Sequence, residues 1–215
     1  MLIPPLLAVG ILALALIAKS WLLVWPAAVL VALWIVYIVE APRALGKRAD
    51  GTMSLLAWAF WAPVFLYQWI SHEVVRRWSG EPVATEVAPG VWVARRPRGH
   101  ELPSDIAIVV DLCAEFPAAP AVRKHPRYLA VPTLDARTPS PAELARIADA
   151  VLAAGGPAFI HCALGHGRSA TVAAAVLIKR GDATLDNVEA KLRALRPKIG
   201  LNARQRAAIA AAISR

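Results

Sequence analysis

The chain opens with two long apolar runs. Residues 1–18 and 21–39 carry no charged side chain, and only Lys19-Ser20 separates them. As helices, segments of 17 to 19 residues rise about 26–29 Å, close to the roughly 30 Å hydrocarbon core of a bilayer. One helix from 2 to 39 would reach about 57 Å, too long to cross unbroken. The pattern therefore predicts a transmembrane helical hairpin over residues 1–39, with Lys19 reaching to the far interface. A cleavable signal peptide fits less well. The start Met1-Leu2-Ile3-Pro4-Pro5 lacks a positive n-region, and a second apolar span follows at once.

Residues 40–80 hold a basic loop and a third apolar stretch, 55–70. That stretch carries Trp58, Trp61, Tyr67 and Trp69 around Pro63, and such aromatics favour the membrane interface. If it spanned, Arg43, Lys47 and Arg48 would face the opposite side from Arg76 and Arg77. Lying in the interface or re-entering, it leaves both clusters on the cytoplasmic side. The expectation is two spans plus an interfacial segment, a multi-pass protein of a bacterial inner membrane with its C-terminal domain in the cytoplasm.

Beyond a polar, proline-bearing stretch at 82–90 the pattern changes, and the boundary falls near residue 80. Residues 91–94 alternate weakly and predict an opening strand. The β-branched run at 106–113 predicts a buried parallel strand, 128–132 a weaker one and 158–161 a fourth. Ser140-Pro141-Ala142-Glu143 reads as a helix start, with Ser as N-cap, Pro at the first position and Glu reaching back. That helix should end at Gly155-Gly156. Further helices are predicted over 168–180, 184–195 and 202–213, the last capped by Asn202 with Gln205 three residues on. Strands alternating with helices define an α/β domain with a mainly parallel sheet over 81–215.

Composition sharpens this division. Of 215 residues 58% are hydrophobic and only 18% charged, whereas soluble domains average roughly 45–50% and about 25%. This excludes disorder. The net charge is +9; 20 of 24 basic and 13 of 15 acidic residues lie in 72–215, a surplus of 7 there. Two cysteines exclude a disulfide scaffold and a four-cysteine zinc site. No metal-ligand spacing or glycine-rich nucleotide fingerprint is present, so no metal or cofactor is expected. The basic surplus lacks the aromatic interleaving of a nucleic-acid surface; the Arg76-Arg77 and Arg95-Arg96 clusters read as contacts to anionic headgroups or acidic substrate.

The chemistry lies at the end of the fourth strand, in His161-Cys162-Ala163-Leu164-Gly165-His166-Gly167-Arg168-Ser169. A strand ending in a tight turn before a helix can aim loop amides at one spot, with the helix's positive end behind them. Gly165 and Gly167 are expected to supply angles that residues with a Cβ resist. Arg168 offers a planar fork for two oxygens of a tetrahedral dianion. Cys162, at the base of this nest, is in the setting that favours a thiolate, poised to attack phosphorus and form a phosphocysteine.

This segment resembles the signature loop of the cysteine-dependent protein tyrosine phosphatase superfamily, His-Cys-(five residues)-Arg-Ser/Thr, in its dual-specificity branch. The resemblance covers roughly 88–215, including a tail from Arg196 to Gln205 like that branch's closing helices. It implies a dual-specificity-phosphatase-like fold, loop residues Ala163 to Arg168 around the phosphate, and a general acid on another loop. Asp135, 27 residues before Cys162, is the candidate, with a turn cap as the plainer role. Asp111, inside an apolar strand, reads as a structural hydrogen-bonding group. Ser169 would donate to the Cys162 sulfur, or else cap its helix. His161 would orient the loop by hydrogen bonding rather than act as a base, and His166 would face solvent or substrate. Cys113 is a buried small hydrophobe or, as in lipid-directed members, a reversible disulfide partner for Cys162.

A bilayer-restricted domain meets a substrate in that surface at raised effective concentration. A phosphorylated membrane lipid is therefore the expected substrate, phosphatidylglycerophosphate-like or phosphoinositide-like. Phosphoinositide-directed members tend to carry lysines in the loop, whereas Ala163 and Leu164 are apolar, which favours a singly phosphorylated lipid. The alternatives are a phosphoprotein substrate and, in another class, a non-catalytic phosphate-binding adaptor. The oligomeric state is not readable from the sequence.

Overall fold

A computed structural model describes residues 3–214. Its centre is a five-stranded sheet of order β1-β2-β5-β3-β4, built from β1 Ala84–Ala88, β2 Val91–Arg95, β3 Ile108–Cys113, β4 Tyr128–Thr133 and β5 Ala158–Cys162. β2–β5, β5–β3 and β3–β4 are parallel, and only β1–β2 is antiparallel. Every residue of β3 and β5 is buried, as mainly apolar runs in the middle of a parallel sheet require. β1 lies in the stretch from which no element was expected. It is a short polar edge strand with one buried side chain, Val87, too brief to leave a period-2 signal.

One face of the sheet is covered by α5 Pro141–Leu152, α6 Arg168–Arg180, α7 Val188–Leu195 and α8 Ala203–Ile213. Val110, Leu112 and Ile160 meet Leu144, Ile147, Leu177, Leu192 and Ile209 there. The caps follow the sequence in part. Ser140 accepts from the Glu143 amide at 3.3 Å, but the Glu143 carboxylate turns to Arg146 instead of reaching back. Asn202 and Gln205 form the full reciprocal box. α7 starts at Val188, because 184–187 is spent on a turn that the Asn187 side chain closes onto Thr184 N at 2.9 Å.

Before the sheet come α1 Ile3–Ile17, α2 Val24–Ile38 and α3 Leu55–Trp78, while the one-turn α4 Pro120–Arg123 falls between β3 and β4. α1 and α2 pack together across the break at Lys19, whose φ is 50°. Among the described residues one helical run, Trp21–Ile38, is long and apolar enough to cross a membrane. α1, at 15 described residues, rises only about 22 Å, so of the expected pair of spans only the second, α2 extended back to Trp21 by a 3-10 turn, meets the length. α3 is one continuous helix through Pro63. Its stripe Ala57, Trp61, Val64, Phe65 and His72 is buried, while Leu55, Leu56, Leu66, Tyr67 and Trp78 are exposed. The stripe joins Val29 and Val36 of α2 to Ala114 and Leu134 of the α/β domain in one cluster.

Candidate active site

β5 ends at Cys162 and α6 begins at Arg168, so residues 163–167 alone join a buried strand to a buried helix. Four consecutive loop carbonyls are held by donors outside the loop. Ala163 O accepts from Arg96 N at 3.1 Å and from His72 Nε2 at 3.1 Å. Leu164 O and Gly165 O accept from Arg196 Nη2 at 3.1 Å and Nε at 3.0 Å, and His166 O from Gly200 N at 3.3 Å. In a trans peptide the N–H points opposite to the C=O, so outward carbonyls leave inward amides. The Gly165 amide donates to Cys162 Sγ at 3.2 Å, and Ser169 Oγ lies 3.4 Å from the same sulfur.

The two glycines act differently. Gly165 sits at φ 78°, and a Cβ there would meet the Ala94 and Arg95 backbone at 2.7–2.8 Å; no other residue fits. Gly167, at φ −112°, needs no special angle, which corrects the sequence expectation. Its Cβ position lies 3.1 Å from the Gln205 amide instead.

Arg168 is only 2% exposed. Nη1 donates to Glu115 Oε2 and to Thr133 O, both at 2.8 Å, and Nη2 to Glu115 Oε1 at 2.6 Å. Its Nε is buried with no hydrogen-bond partner. Burial opposes ionisation of Glu115, yet the Arg168 guanidinium holds its carboxyl below the usual range. Asp135 follows β4. Its Oδ1 lies 3.2 Å from Arg168 Nη2, and its side chain is 75% exposed. Cys162, Arg168, Ser169 and Asp135 thus converge on one spot. A thiol at the floor, a fork with an unpartnered N–H, inward amides and an exposed carboxyl at the rim can bind a phosphate and divide its cleavage into two steps.

His161 and Cys113 fall elsewhere. Successive side chains of a strand point to opposite faces. With Cys162 on the α6 side, His161 lies on the other side, where its nearest charged partner is Asp111 Oδ1 at 3.7 Å. Both ring nitrogens are buried without a well-formed hydrogen bond, and the Cys162 backbone, where the loop begins, lies close enough to favour the protonated ring. The Cys113 sulfur lies within 4.8 Å of the Asp111 and His161 ligand atoms on that face, and both cysteines are free. A Cys113–Cys162 bridge would require one side chain to cross the sheet. His166 is partly exposed and pairs with Glu81 Oε2 at 2.9 Å.

Asp111 is the structural group expected, but its partner was not foreseen. Lys47 Nζ, from the segment before α3, is fully buried 2.6 Å from Asp111 Oδ2, which also accepts from Tyr128 Oη at 2.6 Å. Burial opposes ionisation of Asp111, yet its neighbours His161 and Lys47 and these hydrogen bonds hold its carboxyl at about 2. Burial lowers His161 from 6.5 to about 4, so the ring is neutral at neutral pH. In the unfolded chain His161 takes a proton first. Its contribution to stability is complete above pH 6.5 and is lost as pH falls toward 4, amounting to about 3 kcal/mol. Denaturant unfolding of the detergent-solubilised protein between pH 4 and 7 should show this slope, and His161→Gln should flatten it. Equal slopes in both proteins would contradict the assignment.

Comparison with known proteins places this geometry. The family described as "Dual specificity phosphatase, catalytic domain" matches residues 103–213, just over half of the chain. Tk-PTP in its active form superposes with a TM-score of 0.55 at 26% identity, over 62% of this chain and 98% of its own. PTPMT1 in complex with PI(5)P gives 0.53 at 19%, over 60% and 92%. A variant of human DUSP28 gives 0.53 at 21%, over 62% and 97%. No curated protein matches the chain. The α/β fold and its loop are those of the cysteine-dependent phosphatases, and the protein is a phosphoric monoester hydrolase of the dual-specificity or tyrosine type. Within that superfamily, the chain belongs to the dual specificity phosphatase catalytic-domain family.

Proposed function

We propose that the protein is a membrane-anchored phosphatase that removes the phosphate of a singly phosphorylated membrane lipid. The observation that carries this reading is the position of the site. Ala114 and Leu134, the neighbours of Glu115 and Asp135, pack in one cluster with Val36 of α2 and Phe65 of α3. With α2 crossing the bilayer, α1 packed along it and α3 in the interface, the loops that carry Glu115 and Asp135 would lie against the anchor, close to the lipid surface. The exposed aromatic and aliphatic face of α3 suits that depth. The same fold in PTPMT1 holds PI(5)P, a phosphoinositide. The apolar Ala163 and Leu164 favour one phosphate over several.

In this reading Cys162 Sγ attacks phosphorus in line, forming the S–P bond as the P–O bond to the alcohol breaks. Asp135 gives its proton to the departing oxygen. Water then attacks phosphorus, the S–P bond breaks and Asp135 takes a proton from that water. The loop amides and Arg168 Nε hold the equatorial oxygens throughout, and Ser169 Oγ supports the sulfur as it leaves.

Phosphate release from phosphatidylglycerophosphate in mixed micelles, compared with release from phosphotyrosine peptides, tests the substrate class. We expect kcat/KM for the micellar lipid to exceed that for the peptides by about 10²-fold, the scale of a surface-concentration gain. Higher kcat/KM for the peptides would assign the protein to phosphoprotein substrates instead.

A further inference from the structure

We infer that Tyr37, at the C-terminal end of α2, is a positioning residue for Asp135, so that the anchoring helix holds the general acid in place as well as tethering the domain. The inference rests on the proposed role of Asp135 as that acid. It begins with the loop itself. Ala136, the next residue, sits in the left-handed region at φ 57°, a conformation that costs an L-residue about 1 kcal/mol and persists only where surroundings impose it.

Two groups of contacts impose it. From α8, Asn202 Nδ2 donates to Ala136 O at 2.9 Å and Gln205 Nε2 to Arg137 O at 3.2 Å. From α2 the grip is as direct. Arg137 lays its guanidinium over the Tyr37 ring, 5.9 Å from the centroid, and donates through Nη2 to Tyr37 O at 3.2 Å. Glu40 lies 3.7 Å from Arg137 Nε and also pairs with Arg204 at the start of α8. Tyr37 packs against the cluster holding Leu134, on the other side of Asp135. Its hydroxyl faces the Asp135 backbone, with Glu115 and Arg168 as its charged neighbours. Residues 134 and 137, which bracket the acid, are thus both fixed to α2.

Such a clamp bears on both steps that use Asp135, and only the first of them depends on the leaving group. An aryl phosphate with an acidic phenol leaves with little protonation, whereas an alkyl phosphate needs the proton. A displacement of about 1 Å in a catalytic group costs on the order of 10²-fold, and that cost should fall on the alkyl substrate. A general loosening of the fold would lower both rates together.

The test is the ratio of kcat/KM for an alkyl phosphate to kcat/KM for p-nitrophenyl phosphate, which reports only the leaving-group step, measured on the full chain in detergent. Tyr37→Ala should lower this ratio by about 10- to 100-fold. Tyr37→Phe, which keeps the ring under Arg137 and so guards against misfolding, should lower it about threefold, within the range of a modest positioning loss. Asp135→Asn is the benchmark and should lower it most. A wild-type ratio in both Tyr37 variants, with a collapsed ratio in Asp135→Asn, would overturn the clamp and leave the acid standing. A wild-type ratio in Asp135→Asn would overturn the acid assignment, and the clamp with it.

Discussion

Replacement of Cys162 by serine is expected to abolish turnover of every phosphate monoester, by at least about 10⁴-fold, while leaving the fold and phosphate binding in place. The side chain is 3% exposed, and its sulfur is met by the Gly165 amide at 3.2 Å and the Ser169 hydroxyl at 3.4 Å. A serine hydroxyl fits the same space and accepts from the same groups. It remains un-ionised, however, and is a weak nucleophile without an adjacent base; His161, the neighbouring histidine, is turned to the opposite side of the sheet. The amides and Arg168 that grip the phosphate are untouched. Titration with inorganic phosphate should therefore give a dissociation constant within a few-fold of wild type. Residual kcat within tenfold of wild type would show that sulfur is not the attacking atom.

The second large effect is expected at Arg168. Arg168→Lys keeps the charge but removes the fork, and with it both the two-point grip on Glu115 and the buried, unpartnered Nε. Loss of one preorganised donor to developing charge costs on the order of 10²–10³ in kcat. Arg168→Ala adds a structural penalty, because Glu115 would be left buried without its cation. Breaking a buried pair in this way costs about 3–5 kcal/mol. Steady-state kinetics on Arg168→Lys, and thermal melts of Arg168→Ala beside the double variant with Glu115→Gln, separate the two roles. We expect the double variant to regain part of the stability lost in the single one. A lysine variant with kcat within threefold of wild type would remove Arg168 from the chemistry.

The loop from His161 to Ser169 was readable because its chemistry is contiguous in sequence and flanked by a strand and a helix. Central strands β3 and β5 and helix α6 followed from short, mainly apolar runs and a stopping glycine. What escaped was whatever depends on distant pairing. Glu115 stands 53 residues from Arg168, His72 91 from Ala163 and Lys47 64 from Asp111. Each is an ordinary polar residue in its local context, and nothing in its spacing announces a partner. Arg196 was visible only as part of a helical tail, although it ties two carbonyls of the signature loop. Tyr37 was hidden for the opposite reason: it sits at the end of an apolar run whose membrane character explained it completely. The interfacial reading of 55–70 foresaw neither the unbroken α3 nor its docking on the catalytic domain, since a helix face buried against protein and one buried against lipid look alike in sequence.

A covalent phosphoryl group on Cys162 is the most direct consequence of the proposed chemistry. Wild-type protein and Asp135→Asn, mixed with excess p-nitrophenyl phosphate and denatured within the first turnovers, should each carry one phosphoryl group, located on the peptide containing Cys162 by mass spectrometry. It should accumulate further in Asp135→Asn, where the second step lacks its base. Turnover that continues with Cys162 unmodified, or with the phosphoryl group on another side chain, would contradict the nucleophilic role of the sulfur.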